Sequence, residues 1–386
     1  MLAHDIGRAI EAARKRLGVS LEDLAASTSL DVALLGSIER GEQLVSTAKL
    51  DRIASALGID AFALYGGREV ERTLVVLPRY AARSDFQQGD LPVLRRALER
   101  ATALAKVSAI LGKTSLAGQF KPTPPGADPA QDGYHCARRV RRALGRITEP
   151  LDNLPALLAE RFDVPVVVEP LATAALQAAA VRSSVTYAAA VVLNSSVKDG
   201  PPVGSFQAWL VDRVSICHEL CHIVFDEPRG GIVDVILDDL LEGQERPPIE
   251  QRAGAFAAEM LIPLFGLRNL LGAEGRQTDT PAQADRLVDE VRTHFKTPAE
   301  IAVNHLYNHG YVARISDFRE NLIERAQGRD IPQPGTLPAG EDDAWRRALL
   351  ARTQEAHDCS LITDGTARAL LELEPGEPLP WERDSL

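Results

Sequence analysis

The chain has 386 residues, of which 45% are apolar and 25% are charged. This length is more than one ordinary hydrophobic core holds, so the sequence predicts a folded protein of two or three domains and excludes a single small module. The net charge of −11 excludes a general electrostatic attraction to nucleic acid or to anionic membranes, so any such binding must be local.

Cysteine content and hydropathy bear on the compartment. The four cysteines are widely spread and lack the spacing of a disulfide framework, which favours a reducing compartment. Asp5 lies where an export signal needs basic charge followed by an apolar core. No later stretch reaches the roughly eighteen uncharged residues of a membrane span. We therefore expect a cytoplasmic protein that is neither exported nor membrane-spanning.

Residues 1–68 predict a bundle of five short helices. Apolar side chains recur at helical spacing from Ile6 to Leu17, and Ser20 offers an N-cap to a second helix. Further helical patterns run from Leu30 to Arg40 and from Leu50 to Leu57, and each is followed by a glycine that favours a helix end.

Three segments of this bundle resemble the lambda-repressor-like (XRE-type) helix-turn-helix domain. They are Leu17-Gly-Val-Ser-Leu-Glu-Asp-Leu-Ala25, Ser37-Ile-Glu-Arg-Gly41 and Leu50-Asp-Arg-Ile-Ala-Ser-Ala-Leu-Gly58. The resemblance implies that the helix before the Glu-Arg-Gly turn lies in the DNA major groove. That helix begins Asp31-Val-Ala-Leu-Leu-Gly36 and offers no basic side chain. DNA binding therefore stays open beside two alternatives, docking of a protein and homodimer formation.

The middle of the chain predicts a connecting helix, a linker and then an α+β domain. An amphipathic helix is predicted over residues 90–116, and the prolines of residues 121–129 predict a linker. Beyond the linker, helices are predicted over 137–144 and 151–162 and buried strands over 164–168 and 188–193, with helices dominant after residue 205. A second proline-rich break at 331–340 precedes a C-terminal tail.

The pattern H-E-x-x-H lies inside a helical pattern that runs from Val211 to Phe225. Because His218 and His222 are four residues apart, both imidazoles project from one face of the helix and can share a tetrahedral Zn²⁺. Glu219 lies beside them, where its carboxylate can take a proton from a water molecule that the metal activates. We therefore predict two metal ligands and a catalytic base, while Cys221 points elsewhere and is predicted to pack in the core.

A catalytic zinc site needs a third protein ligand, and the chain offers many acids downstream. They are Asp226, Glu227, Asp234, Asp238, Asp239, Glu242, Glu245, Glu250 and Glu259. Composition does not choose among them. Glu250, however, opens a helical pattern that contains the small residues Ala253, Gly254 and Ala257. Small side chains there would let this helix approach the helix of His218 and His222 closely. This approach would put Glu250 within reach of the metal.

Together these residues resemble the ImmA/IrrE family of metallopeptidases. In that family the H-E-x-x-H helix is followed by a helix of the form E-x-x-A-x-x-F-A-x-x-L-x-x-P. The matching residues here are Glu250, Ala253, Phe256, Ala257 and Pro263, with Met260 in place of leucine. The resemblance covers roughly residues 135 to 315 and implies that Glu250 is the third zinc ligand. Manganese would suit the same donors.

One position departs from the family pattern. His305 stands where relatives usually carry arginine. Two alternatives for its role stay open, which are stabilisation of an oxyanion and ordinary placement on the surface.

The resemblance also implies a function. Members of the family are bacterial or phage proteins that cut a helix-turn-helix repressor. We therefore expect a zinc-dependent endopeptidase of regulatory type that cleaves a helix-turn-helix repressor or antitoxin-like partner in a stress or phage response. The alternative is a DNA-binding transcription regulator whose peptidase-like domain acts as a sensor or partner-docking module.

The expected fold is mostly α, with a small α+β zincin-like metallopeptidase domain behind the N-terminal five-helix bundle. The expected domains are a helix-turn-helix domain at 1–68, a connecting helix and linker at 69–134, the metallopeptidase domain at 135–330 and a linker with a C-terminal tail at 331–386.

Overall fold

A computed structural model describes most of the chain. It covers residues 3–16, 19–43, 45–57, 75–78, 88–173, 176–183, 188–197, 200–202, 204–226, 247–272, 278, 280–313, 315–333, 344–374 and 377–383. Within these residues the chain is mostly helical and contains one small sheet.

The helices of the described residues are these, in chain order: α1 (Ala3–Arg16), α2 (Leu21–Thr28), α3 (Val32–Glu39), α4 (Thr47–Ala56), α5 (Leu91–Ile110), α6 (Pro129–Leu144), α7 (Leu154–Phe162), α8 (Phe206–Phe225), α9 (Pro248–Leu261), α10 (Leu264–Leu271), α11 (Pro281–Phe295), α12 (Ala299–Asn308), α13 (Ser316–Gln327), α14 (Ala344–Asp358), α15 (Asp364–Leu370) and α16 (Pro380–Arg383). The strands are β1 (Val75–Pro78), β2 (Val166–Glu169), β3 (Ala178–Arg182) and β4 (Ala189–Asn194).

Helices α1 to α4 pack as a helix-turn-helix module. Helix α2 begins where the sequence predicts, because the Ser20 hydroxyl accepts the Asp23 amide at 3.0 Å. Helix α3 begins after Asp31, whose Oδ1 accepts the amide of Ala33 at 2.8 Å. The sequence predicts a fifth helix within residues 1–68 without giving its bounds, and residues 58–68 lie outside the described residues.

Helices α1 and α3 contact each other closely. A Cβ atom on Gly7 would lie 2.2 Å from the carbonyl oxygen of Ile38, so this position needs glycine. Arg14 also joins the two helices, because two of its guanidinium nitrogens each lie 2.7 Å from a carboxylate oxygen of Glu39. The first helix therefore fixes the position of the third.

The four strands form one mixed sheet in the order β1-β3-β4-β2. Strand β3 pairs antiparallel with both β1 and β4, whereas β2 and β4 run parallel. Strands β2 and β4 are the two that the sequence predicts. Strand β3 reads Ala178-Ala-Ala-Val-Arg182, and alanine favours helix over strand, so its conformation depends on pairing with its neighbours rather than on local preference.

Apolar side chains cover both faces of the sheet. On β4, Val191 and Leu193 face the core that contains α8 and α9. Ala190 and Val192 face the opposite core, which contains α5 and α14. Burial on both faces explains why β4 is a continuous apolar run rather than an alternating one.

The helix predicted over 90–116 is α5, and it packs on this second face of the sheet. On the same side, Arg352 of α14 forms a buried ion pair with Asp163, and its guanidinium donates to the Glu160 carbonyl at 2.8 Å. The C-terminal helices therefore dock on the rest of the chain. The domain boundaries given above remain predictions.

Helices α6 and α9 approach each other at close range. A Cβ atom on Gly133 of α6 would lie 2.3 Å from the carbonyl oxygen of Arg252 of α9. Ala253 and Ala257 are fully buried in the core shared with α8, as expected. Gly254 is different, because a Cβ atom there would meet nothing within 4 Å. The prediction that Gly254 permits a close approach to α8 is therefore wrong.

Among the described residues, no single helix combines the length and apolarity needed to cross a bilayer. The pair α9 and α10 reaches that length and apolarity only together, across a bend of 43°.

Candidate metal centre

His218 and His222 lie in the second half of the twenty-residue helix α8. The helix is capped by Ser205, whose hydroxyl accepts the Ala208 amide at 3.1 Å. The two imidazole rings project from the same side, with ring centroids 4.8 Å apart. The spacing of four residues therefore gives the arrangement that the sequence predicts.

Glu250 reaches both imidazoles from the first turn of α9. Its Oε2 lies 2.9 Å from Nε2 of His218, and its Oε1 lies 3.4 Å from Nε2 of His222. Candidate ligand atoms of all three residues lie within 4.8 Å of one another. Zinc bonds of about 2.0–2.1 Å separate the ligand atoms of a tetrahedral site by about 3.3 Å, a value between the two measured distances. The donor set fits zinc, and it suits manganese as well.

Asp226 orients one of the imidazoles. Its Oδ2 lies 2.5 Å from Nδ1 of His222, so this ring nitrogen can donate to the carboxylate and leave Nε2 directed at Glu250. Arg252 of α9 forms an ion pair with the other carboxylate oxygen of Asp226. Arg182 of β3 donates to the Asp226 backbone carbonyl at 2.6 Å. The carboxylate is therefore held in place by α9 and its backbone by the sheet.

Negative charge dominates the centre. Burial lowers the pKa of His222, but the carboxylates of Asp226, Glu250 and Glu219 outweigh burial and raise this pKa to about 9. Glu219 is fully buried on α8, directly after His218, and its carboxylate adds to the rise in the pKa of His222. Such a field favours a cation between the two rings.

The candidate ligands are enclosed by protein. The side chains of His218, His222 and Glu250 are 4%, 2% and 3% exposed. A polypeptide could reach them only if the surrounding structure moved.

His305 lies away from this centre. Its imidazole is fully buried on α12, with Nε2 3.6 Å from Oε2 of Glu259, and Tyr134 packs edge-on against the ring. Glu259 follows Glu250 by nine residues on α9, which is about 13 Å along the helix axis. Surface placement of His305 is therefore wrong, because the ring is buried beside Glu259. Its role in stabilising an oxyanion stays a prediction.

The remaining downstream acids are either distant from the two imidazoles or outside the described residues. Glu259 accepts a hydrogen bond at 2.8 Å from Arg138, far from the two imidazoles. Residues 227–246 carry Glu227, Asp234, Asp238, Asp239, Glu242 and Glu245 and lie outside the described residues. Cys221 is fully buried in the core, as predicted.

Sequence reasoning missed the positioning residues of the centre. Asp226 entered it only as one of many acids, although its place four residues after His222 puts it one helical turn away. Arg252 and Arg182 carry no local signal, because their contacts with Asp226 join distant parts of the chain.

Comparison with known proteins bears on the N-terminal helices. A family model described as helix-turn-helix matches residues 10–64. The N-terminal module is thus a helix-turn-helix, in agreement with the packing of α1 to α4. No curated protein and no solved structure gives a match to the chain.

Proposed function

We propose that the chain is a zinc-dependent endopeptidase of regulatory type with a zincin-like catalytic domain. The observation that carries the proposal is the convergence of His218, His222 and Glu250 on one point, with Glu219 next to His218 in the same buried stretch of α8. Two imidazoles and a carboxylate are a ligand set of catalytic zinc sites, and the adjacent glutamate is a candidate base.

Each side chain has a distinct part in peptide hydrolysis. His218 and His222 would hold the ion through Nε2, and Glu250 through its carboxylate. When bound, zinc supplies a Lewis acid that polarises the peptide carbonyl and lowers the pKa of a water molecule towards about 7. The Glu219 carboxylate takes the proton of the attacking water and passes it to the nitrogen of the departing amine. Asp226 keeps the His222 ring in the orientation that the site needs.

The enclosure of the centre supports a regulated enzyme. Because the ligand side chains are almost fully buried, a protein substrate in solution has no direct access to them. We infer that cleavage requires opening of the site, which a specific partner or signal would trigger.

The substrate class rests on the resemblance to ImmA/IrrE peptidases. A helix-turn-helix repressor or an antitoxin-like protein fits that resemblance, and the chain itself carries a helix-turn-helix module at residues 10–64. Proteins of this class are the first substrates to test.

The test compares cells that produce the wild-type chain with cells that produce Glu219→Gln, by sequencing newly formed protein N-termini. We expect new N-termini in a helix-turn-helix protein with the wild type only, while zinc stays bound to the variant. Glu99→Gln removes an exposed carboxylate on α5 and should cleave like the wild type. Equal cleavage by Glu219→Gln would reject the assigned base.

A second candidate function is DNA-binding transcription regulation, with the peptidase-like part as a sensor or docking module. The match of the helix-turn-helix family over residues 10–64 favours it. The exposed start of α3 weighs against it, because Asp31, Val32 and Ala33 offer no cation to phosphate. A gel-shift assay with the DNA upstream of the gene for this chain tests this second function. Specific retardation at about 150 mM salt, unchanged in Glu219→Gln, would favour the regulator.

A further inference from the structure

A cavity of about 490 Å³ lies between α6 and α10, outside the metal centre. Three arginines from α6 and one from α10 line it, together with an exposed aromatic ring. These side chains are Arg138, Arg139, Arg142, Arg268, His135 and Phe265. The residues of α6 recur at intervals of three and four, so they form one basic face of the helix.

Among the residues that the structure describes, one of these four arginines is paired with a carboxylate. Arg138 forms an ion pair with Glu259 at 2.8 Å. Within the described part of the chain, no carboxylate forms an ion pair with Arg139, Arg142 or Arg268. Like charges around one cavity repel each other until an anion enters.

The guanidinium of Arg139 is positioned by aromatic rings, which do not occupy its N–H donors. Its Cζ lies 5.6 Å from the ring centroid of Phe120 and 5.5 Å from that of Phe225. Stacking on rings orients the group and leaves its five N–H donors for another partner. Arg142 and Arg268 lie in the last turns of α6 and α10, where the helix dipole favours a cation, but this does not account for Arg139, which lies earlier in α6.

The shape and lining define the class of ligand. Paired N–H donors of arginine match phosphate oxygens, and several arginines match several phosphates. Phe265 is 42% exposed at the cavity, where it offers a face for an aromatic base. The volume lies in the range of small-molecule sites.

We propose that this cavity binds a nucleoside di- or triphosphate, with the phosphates on the arginines and the base against Phe265. The cavity shares no lining side chain with the candidate metal ligands, although Arg139 contacts Phe225 at the end of α8. Binding at the cavity can therefore be tested whether or not the chain is a peptidase.

The test is calorimetric titration of the full chain, without added zinc, with ATP, GTP, inorganic tripolyphosphate, adenosine and a single-stranded oligonucleotide at about 150 mM salt. We expect ATP or GTP to bind with a Kd of about 10–100 μM and adenosine to give no measurable binding. The double variant Arg142→Gln/Arg268→Gln should weaken binding at least about tenfold. Both side chains are exposed, so the variant should fold.

The matched control is Arg146→Gln/Arg161→Gln, which removes the same charge from two exposed positions that do not line the cavity. It should bind ATP or GTP within twofold of the wild type. Phe265→Ala should weaken nucleotide binding and leave tripolyphosphate binding unchanged. Three outcomes would overturn the proposal: no binding of either nucleotide, equal loss in the control variant, or binding of a single-stranded oligonucleotide alone.

Discussion

The imidazole of His222 is hydrogen-bonded to the carboxylate of Asp226, with Nδ1 2.5 Å from Oδ2. Asp226 directly follows the last residue of α8, so this hydrogen bond spans one turn at the end of that helix. The same carboxylate forms an ion pair with Arg252 of α9, the helix that carries Glu250. Asp226 therefore ties together the two helices that supply the candidate ligands.

Replacing Asp226 by asparagine should weaken zinc binding without removing a ligand. The amide still occupies the space, but it is a weaker acceptor for Nδ1 of His222 and no longer compensates Arg252. We expect a loss of about 10–100-fold in zinc affinity, which a titration in competition with a chromophoric chelator measures. Asp152→Asn, which removes an exposed partner of Lys296, is the control. If Asp226→Asn binds zinc within twofold of the wild-type affinity, Asp226 does not position His222.

The contact between α6 and α9 predicts opposite effects at two glycines. Gly133→Ala forces a Cβ atom against the Arg252 carbonyl, so it should lower the free energy of unfolding by about 1–3 kcal/mol and weaken zinc binding through a displaced Glu250. Gly254→Ala meets open space and should be neutral or stabilising by up to about 1 kcal/mol. Denaturant unfolding measures both. Equal effects at the two positions would contradict the observed packing.

Thiol reactivity should separate Cys359 from the other cysteines. All four lie in the described part of the chain, where Cys359 is exposed and Cys136, Cys217 and Cys221 are buried. Native protein should therefore react with Ellman's reagent at one thiol, and denatured protein at all four. Fast reaction of more than one thiol would show that the core around α8 opens readily.

The same burial predicts a pH dependence of stability. Burial raises the pKa of Cys217 to about 12, whereas a thiol in the unfolded chain has its ordinary pKa of about 9. Above pH 9 the unfolded state therefore binds fewer protons than the folded state, and the free energy of unfolding falls by up to about 1.4 kcal/mol per pH unit. Cys217→Ala should reduce this slope, and Cys359→Ala should not. Equal slopes in the two variants would contradict the account.

Features of the fold and of the candidate site that depend on neighbouring residues can be predicted from the sequence. Two histidines four residues apart on a helix must project from one side, so the geometry of His218 and His222 follows from spacing alone. The N-cap at Ser20 and the apolar run of β4 are likewise local features. Each was predicted because the residues that determine it lie within a few positions of one another.

Long-range contacts account for what the sequence missed. Strand β3 has helix-favouring alanines and is a strand only because β1 and β4 pair with it. His305 is in the core beside Glu259 and Tyr134, and both partners lie on other helices, far from His305 in sequence. The close approach of α6 and α9 depends on Gly133, which lies far in sequence from the helix it contacts.

Zinc titration of the metal-free chain and of two variants tests whether His218, His222 and Glu250 form a metal centre. We expect one tightly bound zinc per chain in the wild type and in Glu219→Gln. In Glu250→Ala we expect a loss of at least about 100-fold in zinc affinity. Absence of zinc binding by the wild type, or unchanged binding by Glu250→Ala, would contradict a metal centre formed by His218, His222 and Glu250.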